Sequence, residues 1–425
     1  MRALMVRPPQ LRNDCFALPS GVDWLPMAEA LDRLRQRLGP VVGQEARAVT
    51  EAVGAILAAP AVARRGNPPA ANSAVDGYGF AGPVPEGPVE FPLVEGRAAA
   101  GVPFDGAVQA GRAIRILTGA ILPGGVDTVV LQEDVAREGN RIAFTGPLKR
   151  GANTREAGED FRAGDALLPA GHRLLPQDIG LLVAAGLAEL PVFRRLRVGV
   201  LSNGDEVVPA GARAPEALGP GAIFDANRPM LLALLARWGF DPVDLGCASD
   251  DRNDLRARLD AAAEGADAIL TSGGVSTGDE DHVSALLREE GELQSWRIAI
   301  KPGRPLALGL WRGVPVFGLP GNPVAAFVCA LLFARPALEL LAGGAWREPQ
   351  GLDLPAGFEK RKKPGRAEFL RARIGTDGRV ERFESEGSGR ISGLSWASGL
   401  VALDEAERHV RPGDPVRFLP YSAFD

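Results

Sequence analysis

The chain has 425 residues, a formal net charge of −5 and 46% hydrophobic residues, which is typical of a globular protein with several domains. The negative charge gives no electrostatic reason to expect nucleic acid or an anionic membrane as the partner. The three cysteines form no C-x-x-C pair and only three histidines are present, which argues against a disulfide framework and against a metal site built on these residues.

The sequence also predicts a cytoplasmic protein. No apolar run reaches the about 18 residues that a membrane span needs. Prolines interrupt the N-terminal stretch MRALMVRPPQLRND where a signal peptide would need its apolar core. The 53 glycines and 35 prolines are spread along the chain, which indicates many tight turns and therefore many β elements.

The first 190 residues change from a helical to a β-rich pattern. Apolar residues recur every three or four positions in WLPMAEALDRLRQRL, which predicts a helix, and a second helix is predicted over AVTEAVGAILAAP. Short apolar runs between glycines and prolines then predict short strands, for example GPVEFPLVEG, RAIRILTG, DTVVLQEDV and RIAFTG. The segment Gln177 to Leu190 is predicted to be a helix that returns the chain.

From residue 195 to 342, predicted strands alternate with predicted helices. The strands are LRVGVLSN, DPVDLGCAS, ADAILTSGG and GVPVFGL, and the helices are RPMLLALLARWGF, RNDLRARLDAAAEGA, DHVSALLREEG and VAAFVCALLFARPALELLAG. This alternation predicts a parallel sheet with helices on both faces. The segment after about residue 350 is predicted to be a small β domain, because turn signals recur at TDGR, GSGR and RPGDP.

Three loops follow strands of the predicted parallel sheet. They are SNGDE (202–206), SGGVSTGDED (272–281) and LPGNP (319–323). In sheets of this kind, ligands bind outside the carboxyl ends of the strands. Glycine turns let backbone N–H groups approach phosphate oxygens, and Gly321 and Asn322 before Pro323 form a helix start suited to an anion. These loops are therefore the predicted ligand site.

Carboxylates accompany the glycines in the same loops. Mg²⁺ prefers oxygen ligands, usually one or two carboxylates together with substrate phosphates and water. Either a divalent cation such as Mg²⁺ bridges the carboxylates and an anionic ligand, or one end of the ligand is anionic and the other end is not, and we predict a magnesium site. Its candidate ligands are Asp205, Glu206, Asp250, Asp279 and Asp281, and Asp251 belongs to the same acidic set. For any single acid, a solvated loop is the simpler interpretation.

The basic stretch WRIAIKPGRP offers three cations that could hold an oxyanion. Strand alternation would place Arg297 and Lys301 on one side of a single edge strand, and Arg304 follows closely. A solvent-exposed strand face is the simpler alternative. In the β-rich region, Asp76 before Gly77 is compatible with ordinary turn chemistry, and Thr118 with the end of a strand.

Seven motifs in order resemble the molybdopterin molybdenumtransferases, the MoeA family that also includes the E domain of gephyrin. The motifs are NSAVDGYGF, RILTGAILPGGVDTVV, NTREAGEDFRAGD, LSNGDE, TSGGVSTGDEDHV, IKPGRP and GLPGNP, spread over most of the chain. The resemblance implies insertion of molybdate into adenylated molybdopterin with release of AMP, a Mg²⁺-dependent reaction that ends molybdenum cofactor synthesis. It also implies a homodimer in which the strand-end loops of one protomer face the β-rich module of the other.

The resemblance further implies four domains and a set of functional residues. The expected domains are a helical linking domain (15–60 plus 150–194), a β-rich inserted module (61–149), a doubly wound α/β sheet domain of the molybdopterin-binding type (195–345) and a C-terminal β domain (346–425). The residues implied as catalytic are Asp76, Thr118, Glu206, Asp281 and Lys301. Those expected to bind substrate are Ser272, Gly273, Gly274, Ser276, Arg297, Arg304, Pro320, Gly321, Asn322, Arg366 and Ser388.

Three departures from the family motifs, Val75, Gly79 and Asn203, leave the acids intact. Two other functions stay open at this point. A molybdopterin adenylyltransferase has similar SGG and PGNP loops but resembles a single domain only. A dimeric scaffold without catalysis would be expected to have lost the acids. The adenylyltransferase and proteins that accept the finished cofactor are possible partners.

Overall fold

The structure, a computed structural model, describes residues 24–274, 282–303 and 305–425. Contacts divide the chain into two compact units. One unit is Gln44–Val192, and the other combines the segment up to Gly43 with Phe193–Asp425. The chain first forms helix α1 (Met27–Arg37), which belongs to the second of these units. The finer four-domain division stays a prediction.

The unit Gln44–Val192 consists mainly of short strands, as the glycine and proline pattern predicted. The strands are β1 (Gln44–Ala48), β2 (Ile56–Leu57), β3 (Ala61–Val62), β4 (Asn72–Ser73), β5 (Gly77–Phe80), β6 (Val84–Ala98), β7 (Ala113–Ile116), β8 (Thr128–Leu131), β9 (Ala136–Glu138), β10 (Arg141–Leu148), β11 (Thr154–Arg155), β12 (Ala166–Leu168) and β13 (Glu189–Phe193), and helix α2 is Pro176–Ala184. A six-stranded sheet has the order β8-β5-β7-β6-β10-β9. The rings of Phe80, Phe91 and Phe144 pack together over it.

The predicted second helix, over AVTEAVGAILAAP, is wrong. Only Val49–Glu51 is helical, as a 3-10 turn, and Ile56–Leu57 is a strand. Gly54 lies in the next turn and has φ +79, a left-handed conformation that is incompatible with a continuing helix. The N–H of Leu57 then donates to the carbonyl of His172, so tertiary pairing replaces the local helical preference.

Helix α2 ends earlier than the sequence predicted. Gly186 has φ +79, and the N–H groups of Gly186 and Leu187 donate to the carbonyls of Val183 and Leu182. This is the Schellman arrangement that terminates many helices at a glycine. The chain can therefore turn and form strand β13 within the segment that was predicted to be entirely helical.

The second unit contains the predicted alternation of strands and helices. The strands are β14 (Arg197–Asn203), β15 (Val207–Val208), β16 (Ile223–Phe224), β17 (Asp241–Ala248), β18 (Ala268–Ser272), β19 (Glu292–Arg297), β20 (Ile300–Lys301), β21 (Pro305–Trp311) and β22 (Val314–Leu319). The helices are α3 (Asn227–Arg237), α4 (Arg252–Gly265), α5 (His282–Glu290), α6 (Pro323–Cys329) and α7 (Arg335–Leu341).

The central sheet has the order β17-β14-β18-β22-β21-β19. Neighbouring strands from β17 to β22 are parallel, as predicted, whereas β21 is antiparallel to both β22 and β19. Arg312 (φ +50) and Gly313 (φ +84) form the two-residue turn between β21 and β22, and two left-handed residues are typical of a tight hairpin. The sheet is therefore mixed, and the prediction of a parallel sheet holds for four of its strands.

A continuous helical segment, Pro323–Leu341, packs against this sheet. By length and composition it would qualify as a membrane span, contrary to the sequence expectation, but 83% of its most apolar window is buried, as in the core helix of a globular protein. Residues Ala330–Ala334 form a π-helical turn inside it. Pro336 lies two residues after Ala334, and because proline lacks an N–H and its ring collides with the preceding turn, it accounts for this distortion.

The C-terminal segment consists mainly of strands, as predicted. Its elements are β23 (Leu352–Pro355), β24 (Lys360–Lys362), β25 (Ala367–Ile374), β26 (Val380–Arg382), α8 (Ser392–Trp396), β27 (Gly399–Leu403), β28 (Arg408–Val410) and β29 (Pro415–Pro420). Phe358, Leu370, Val401 and Phe418 are among the residues of its buried core.

The prediction that Arg297 and Lys301 share one edge strand is wrong. Arg297 ends β19 in the central sheet, whereas Lys301 lies in β20, which pairs in parallel with β25 of the C-terminal domain. Leu25 pairs with the residues between these two strands. Its N–H donates to the carbonyl of Arg297, and its carbonyl accepts from the N–H of Ala299. The chain therefore passes from one sheet to another within four residues.

Asp267→Asn should destabilise the second unit by about 1–3 kcal/mol. Asp267 accepts two hydrogen bonds of 3.0 Å from Arg194 and one of 2.8 Å from the N–H of Arg197, and its side chain is only 10% exposed. All six tryptophans belong to this unit, so their fluorescence in urea reports its unfolding selectively.

Asp353→Asn is the matched control, because the Asp353 side chain is 68% exposed and lies 3.5 Å from Arg417. This substitution should change the free energy of unfolding by less than about 0.5 kcal/mol. Burial alone would raise the pKa of Asp267, but the bonds from Arg194 and Arg197 lower it. The stabilisation is therefore present above the ordinary carboxyl pKa and is lost as pH falls through the lowered value. An unchanged difference between wild type and variant at acid pH would contradict this assignment.

Candidate functional site

Asp76 and Thr118 meet in the unit Gln44–Val192. Asp76 precedes β5 and Thr118 follows β7, and these two strands are antiparallel neighbours. The hydroxyl of Thr118 donates to Asp76 Oδ1 at 2.6 Å and its N–H donates to the same oxygen at 2.7 Å. Both hydrogen bonds lower the pKa of Asp76, and the bond from the hydroxyl has the larger effect. The sequence pattern indicated a turn at Asp76 and the end of a strand at Thr118, and the structure joins the two residues as one exposed anionic group.

A cavity of about 260 Å³ lies at the carboxyl ends of the parallel strands in the second unit. This is where the loop prediction placed the ligand site. Six of the residues around it were predicted from the sequence, and five of them are Glu206, Ser272, Gly273, Gly274 and Gly321. Asp250, a predicted metal ligand, also contributes to the wall. Pro320 is buried in the same loop as Gly321.

Two glycines of this cavity are required by close backbone approaches. Gly273 has φ +93, and a Cβ there would lie 2.9 Å from the carbonyl oxygen of Asn203. Gly204 has φ +138, and a Cβ there would lie 2.5 Å from the carboxylate of Glu206. The absence of side chains thus lets the end of β18 approach the end of β14 and lets Glu206 fold over the loop.

Two residues that the sequence analysis missed hold this cavity together. Asp225, 5% exposed, accepts from the Ser202 hydroxyl at 3.0 Å and from Arg228 Nε at 2.9 Å. Asn227, 8% exposed, donates from Nδ2 to Ser272 Oγ and to the Gly321 carbonyl, each at 2.7 Å. The signal was available in the sequence, because FDAN directly precedes the predicted helix RPMLLALLARWGF at the same sheet edge.

The carboxylates of Asp205 and Asp250 are engaged with each other's backbone. Asp250 accepts from the N–H of Asp205, and Asp205 accepts from the N–H of Asp250, both at 3.0 Å. Asp251 instead caps helix α4 by accepting from the N–H groups of Asn253 and Asp254. Among the described residues, no group of three or more His, Cys, Asp or Glu side chains is arranged to hold a metal ion.

Two buried oxygens in the wall of the cavity remain without a donor. Asn203 donates to Asp250 Oδ1 at 3.0 Å, which orients its amide. Its Oδ1 and that of Asn227 are buried and accept no hydrogen bond from any residue that the structure describes. A buried acceptor without a donor costs about 1–3 kcal/mol. Together with Glu206 and Asp250, these atoms make the wall rich in oxygen ligands of the kind that Mg²⁺ prefers.

Lys301 lies in a second charged cluster. Its Nζ is 2.7 Å from Glu386 and 3.7 Å from Glu368, and Lys360 is paired with the same two carboxylates. Val324 contacts the small cavity beside Lys301, whereas Pro323 contacts the larger cavity. The first turn of α6 therefore separates the two sites. Glu386 and Lys360 carried no motif and were missed by the sequence analysis.

The remaining predicted residues are distributed around these sites. Asn322 precedes α6, and a Cβ on Gly389 would lie 4.0 Å from its Nδ2, so the loop that contains Ser388 lies beside it. The guanidinium of Arg366 is 5.6 Å from the ring centre of Trp24. Arg297 ends β19, outside both cavities. Ser276, Asp279, Asp281 and Arg304 lie outside the described residues.

The fold and the cavity define a multidomain α/β enzyme with a molybdopterin-binding type of sheet domain. Family models match along the chain as the MoeA N-terminal region, domains I and II (25–186), as a probable molybdopterin binding domain (199–340) and as the MoeA C-terminal region, domain IV (353–421). The chain belongs to the molybdopterin molybdenumtransferase family, a family of transferases with a role in molybdenum cofactor biosynthesis.

Individual relatives agree over most of the chain. The molybdopterin molybdenumtransferase of Haemophilus influenzae is 35% identical over 83% of this chain and 87% of its own length. Molybdopterin molybdenumtransferase 2 of Mycobacterium tuberculosis is 34% identical over 86% of this chain and 92% of its own length. The crystal structure of a molybdopterin biosynthesis MoeA protein from Pyrococcus horikoshii covers 94% of this chain and all of its own, with a TM-score of 0.81 at 29% identity.

Thr118→Val should raise the pKa of Asp76, because valine keeps the backbone N–H donor and removes the hydroxyl that lowers this pKa most. The carbon signal of the Asp76 carboxyl, followed by NMR during a pH titration of selectively labelled protein, measures the change. Thr154→Val is the control, since its hydroxyl donates to the Gly151 carbonyl and not to a carboxylate. An Asp76 pKa that is unchanged in Thr118→Val would refute the pairing.

Proposed function

We propose that this chain inserts molybdate into adenylated molybdopterin with release of AMP, as the last step of molybdenum cofactor synthesis. The observation that carries the proposal is the cavity at the carboxyl ends of β14, β18 and β22, where glycine backbone and carboxylates line one space. Such a space suits a ligand with a phosphoanhydride, since backbone N–H groups can receive phosphate and the carboxylates can share a cation with it.

The residues present fit Mg²⁺ as the required cation. Glu206 and Asp250 supply carboxylates in the cavity wall, and Asn203 supplies a buried amide oxygen that lacks a donor among the described residues. Mg²⁺ needs only one or two carboxylates when phosphates and water complete its shell. When bound, it would neutralise the negative charge that develops on the phosphate oxygens as AMP leaves.

The protein's own groups would orient and hold the reactants. Asn227 donates to Ser272 Oγ, so the Ser272 hydroxyl is left to donate its hydrogen to a ligand oxygen. Lys301, on the other side of the first turn of α6, supplies an ammonium group that a tetrahedral oxyanion such as molybdate would contact in place of the Glu386 carboxylate. Asp76, whose pKa is lowered, would act as a carboxylate throughout the neutral range.

The proposal includes assembly into a homodimer. The family resemblance of the sequence motivates it, and light scattering on the purified full-length chain measures it. A mass of about 45 kDa, that of the single chain, would exclude the dimer under those conditions.

AMP release from adenylated molybdopterin should require both Mg²⁺ and molybdate. Purified protein is incubated with each component omitted in turn, AMP is quantified by chromatography, and the product is tested for activation of an apo-molybdoenzyme. Release of AMP together with active cofactor only in the complete mixture is the expected result. Retention of the adenylated pterin without AMP release would point instead to a carrier or scaffold.

Asp76→Asn and Glu206→Gln should each lower the rate of AMP release by roughly a hundredfold, because each removes a charge without removing volume. Glu264→Gln, on the exposed surface of α4, is the control and should keep the wild-type rate. Wild-type rates in both test variants would contradict the assigned roles.

A further inference from the structure

The ammonium groups of Lys301 and Lys360 both bind the carboxylate of Glu386, between the central sheet and the C-terminal strands. Lys301 Nζ donates to Glu386 Oε2 at 2.7 Å, and Lys360 Nζ donates to Glu386 Oε1 at 2.5 Å. Each carboxylate oxygen therefore has its own ammonium group. Glu368 is a further partner, 2.9 Å from Lys360 and 3.7 Å from Lys301.

This cluster is more deeply buried than an ordinary surface ion pair. The side chain of Lys360 is 7% exposed, that of Lys301 26% and that of Glu386 32%. Burial alone would raise the pKa of Glu386, but the hydrogen bonds from Lys301 and Lys360 lower it to about 2. Glu386 is therefore an anion at every physiological pH, and the two lysines hold a negative charge permanently while it stays in place.

The side chain of Arg371 holds the backbone of the loop that carries Glu386. Arg371, 4% exposed, donates to the carbonyls of Ser385, Gly387 and Arg390. These bonds hold the backbone on both sides of Glu386. Withdrawal of its carboxylate from the lysines therefore requires only side-chain rotation, because the backbone of the loop can keep its position.

The space beside the cluster is too small for a second anion. A cavity of about 20 Å³ touches Lys301, Arg371, Phe383 and Glu386. A volume of this size holds about one water molecule. A tetrahedral oxyanion has five heavy atoms, so it can reach both lysines only if the Glu386 carboxylate leaves.

We infer that Lys301 and Lys360 form an oxyanion site in which the Glu386 carboxylate occupies the position of a tetrahedral dianion, and that the dianion binds by displacing it. This inference deepens the proposed function and rests on it for the identity of the dianion as molybdate. Without Glu386, two ammonium groups face the single carboxylate of Glu368, which leaves net positive charge for an incoming anion. Glu386 thus sets the affinity of the site by competition.

Glu386→Gln should bind molybdate at least about tenfold more tightly than wild type, since the competing charge is removed. Isothermal titration of purified full-length protein with sodium molybdate alone measures the dissociation constant. Glu386→Asp, whose shorter side chain cannot reach both lysines, should show a smaller gain and serves if the glutamine variant fails to fold. Adding Lys360→Gln to Glu386→Gln should abolish the gain.

Glu384→Gln is the matched control, because Glu384 lies in the same loop and is exposed. Its molybdate affinity should equal that of wild type. Equal or weaker binding by Glu386→Gln, or an equal gain in Glu384→Gln, would overturn the inference. Measuring AMP release separates the two proposals. If AMP is released normally but Glu386→Gln does not bind molybdate more tightly, only the competition between Glu386 and molybdate is refuted. If Glu386→Gln binds molybdate more tightly but no variant releases AMP, only the proposed function is refuted.

Discussion

Two buried side chains at the start of α3 hold the ends of three parallel strands together. Asp225 binds the Ser202 hydroxyl at the end of β14, and Asn227 binds Ser272 at the end of β18 and the Gly321 carbonyl after β22. Polar groups buried in this way are stable only when they are hydrogen-bonded, so each bond constrains the position of a loop. The cavity, its glycine turns and its carboxylates all depend on this connection.

The two charged sites on either side of the first turn of α6 have opposite chemistry. The cavity at the strand ends has carboxylates and amide oxygens in its wall, whereas the cluster beside the C-terminal strands contains two ammonium groups, each paired with the carboxylates of Glu386 and Glu368. The two sites are therefore adjacent, and in the proposed function one would hold the phosphate end of the ligand with its cation and the other the oxyanion.

Two errors of the sequence analysis have a common physical cause. In AVTEAVGAILAAP, local helical preference was overruled by pairing of residues 55–57 with residues 172–174, which are distant in sequence. In WRIAIKPGRP, one continuous strand was predicted, but the chain changes sheets within it. Leu25 forms the backbone hydrogen bonds with Arg297 and Ala299 at this point. Local pattern cannot reveal a partner that lies more than a hundred residues away.

The sequence by itself determined the four parallel strands β14, β17, β18 and β22 with the helices that connect them, the loops at the strand ends and the candidate residues Glu206, Ser272, Gly273 and Gly321, because periodicity and turn chemistry are local properties. Only the tertiary structure decided that Asp76 meets Thr118, that Asp225 and Asn227 join the strand ends, and that Glu386 and Lys360 surround Lys301. Those contacts join residues from different strands and loops, and their energy comes from burial and hydrogen bonding that exist only once the chain is folded.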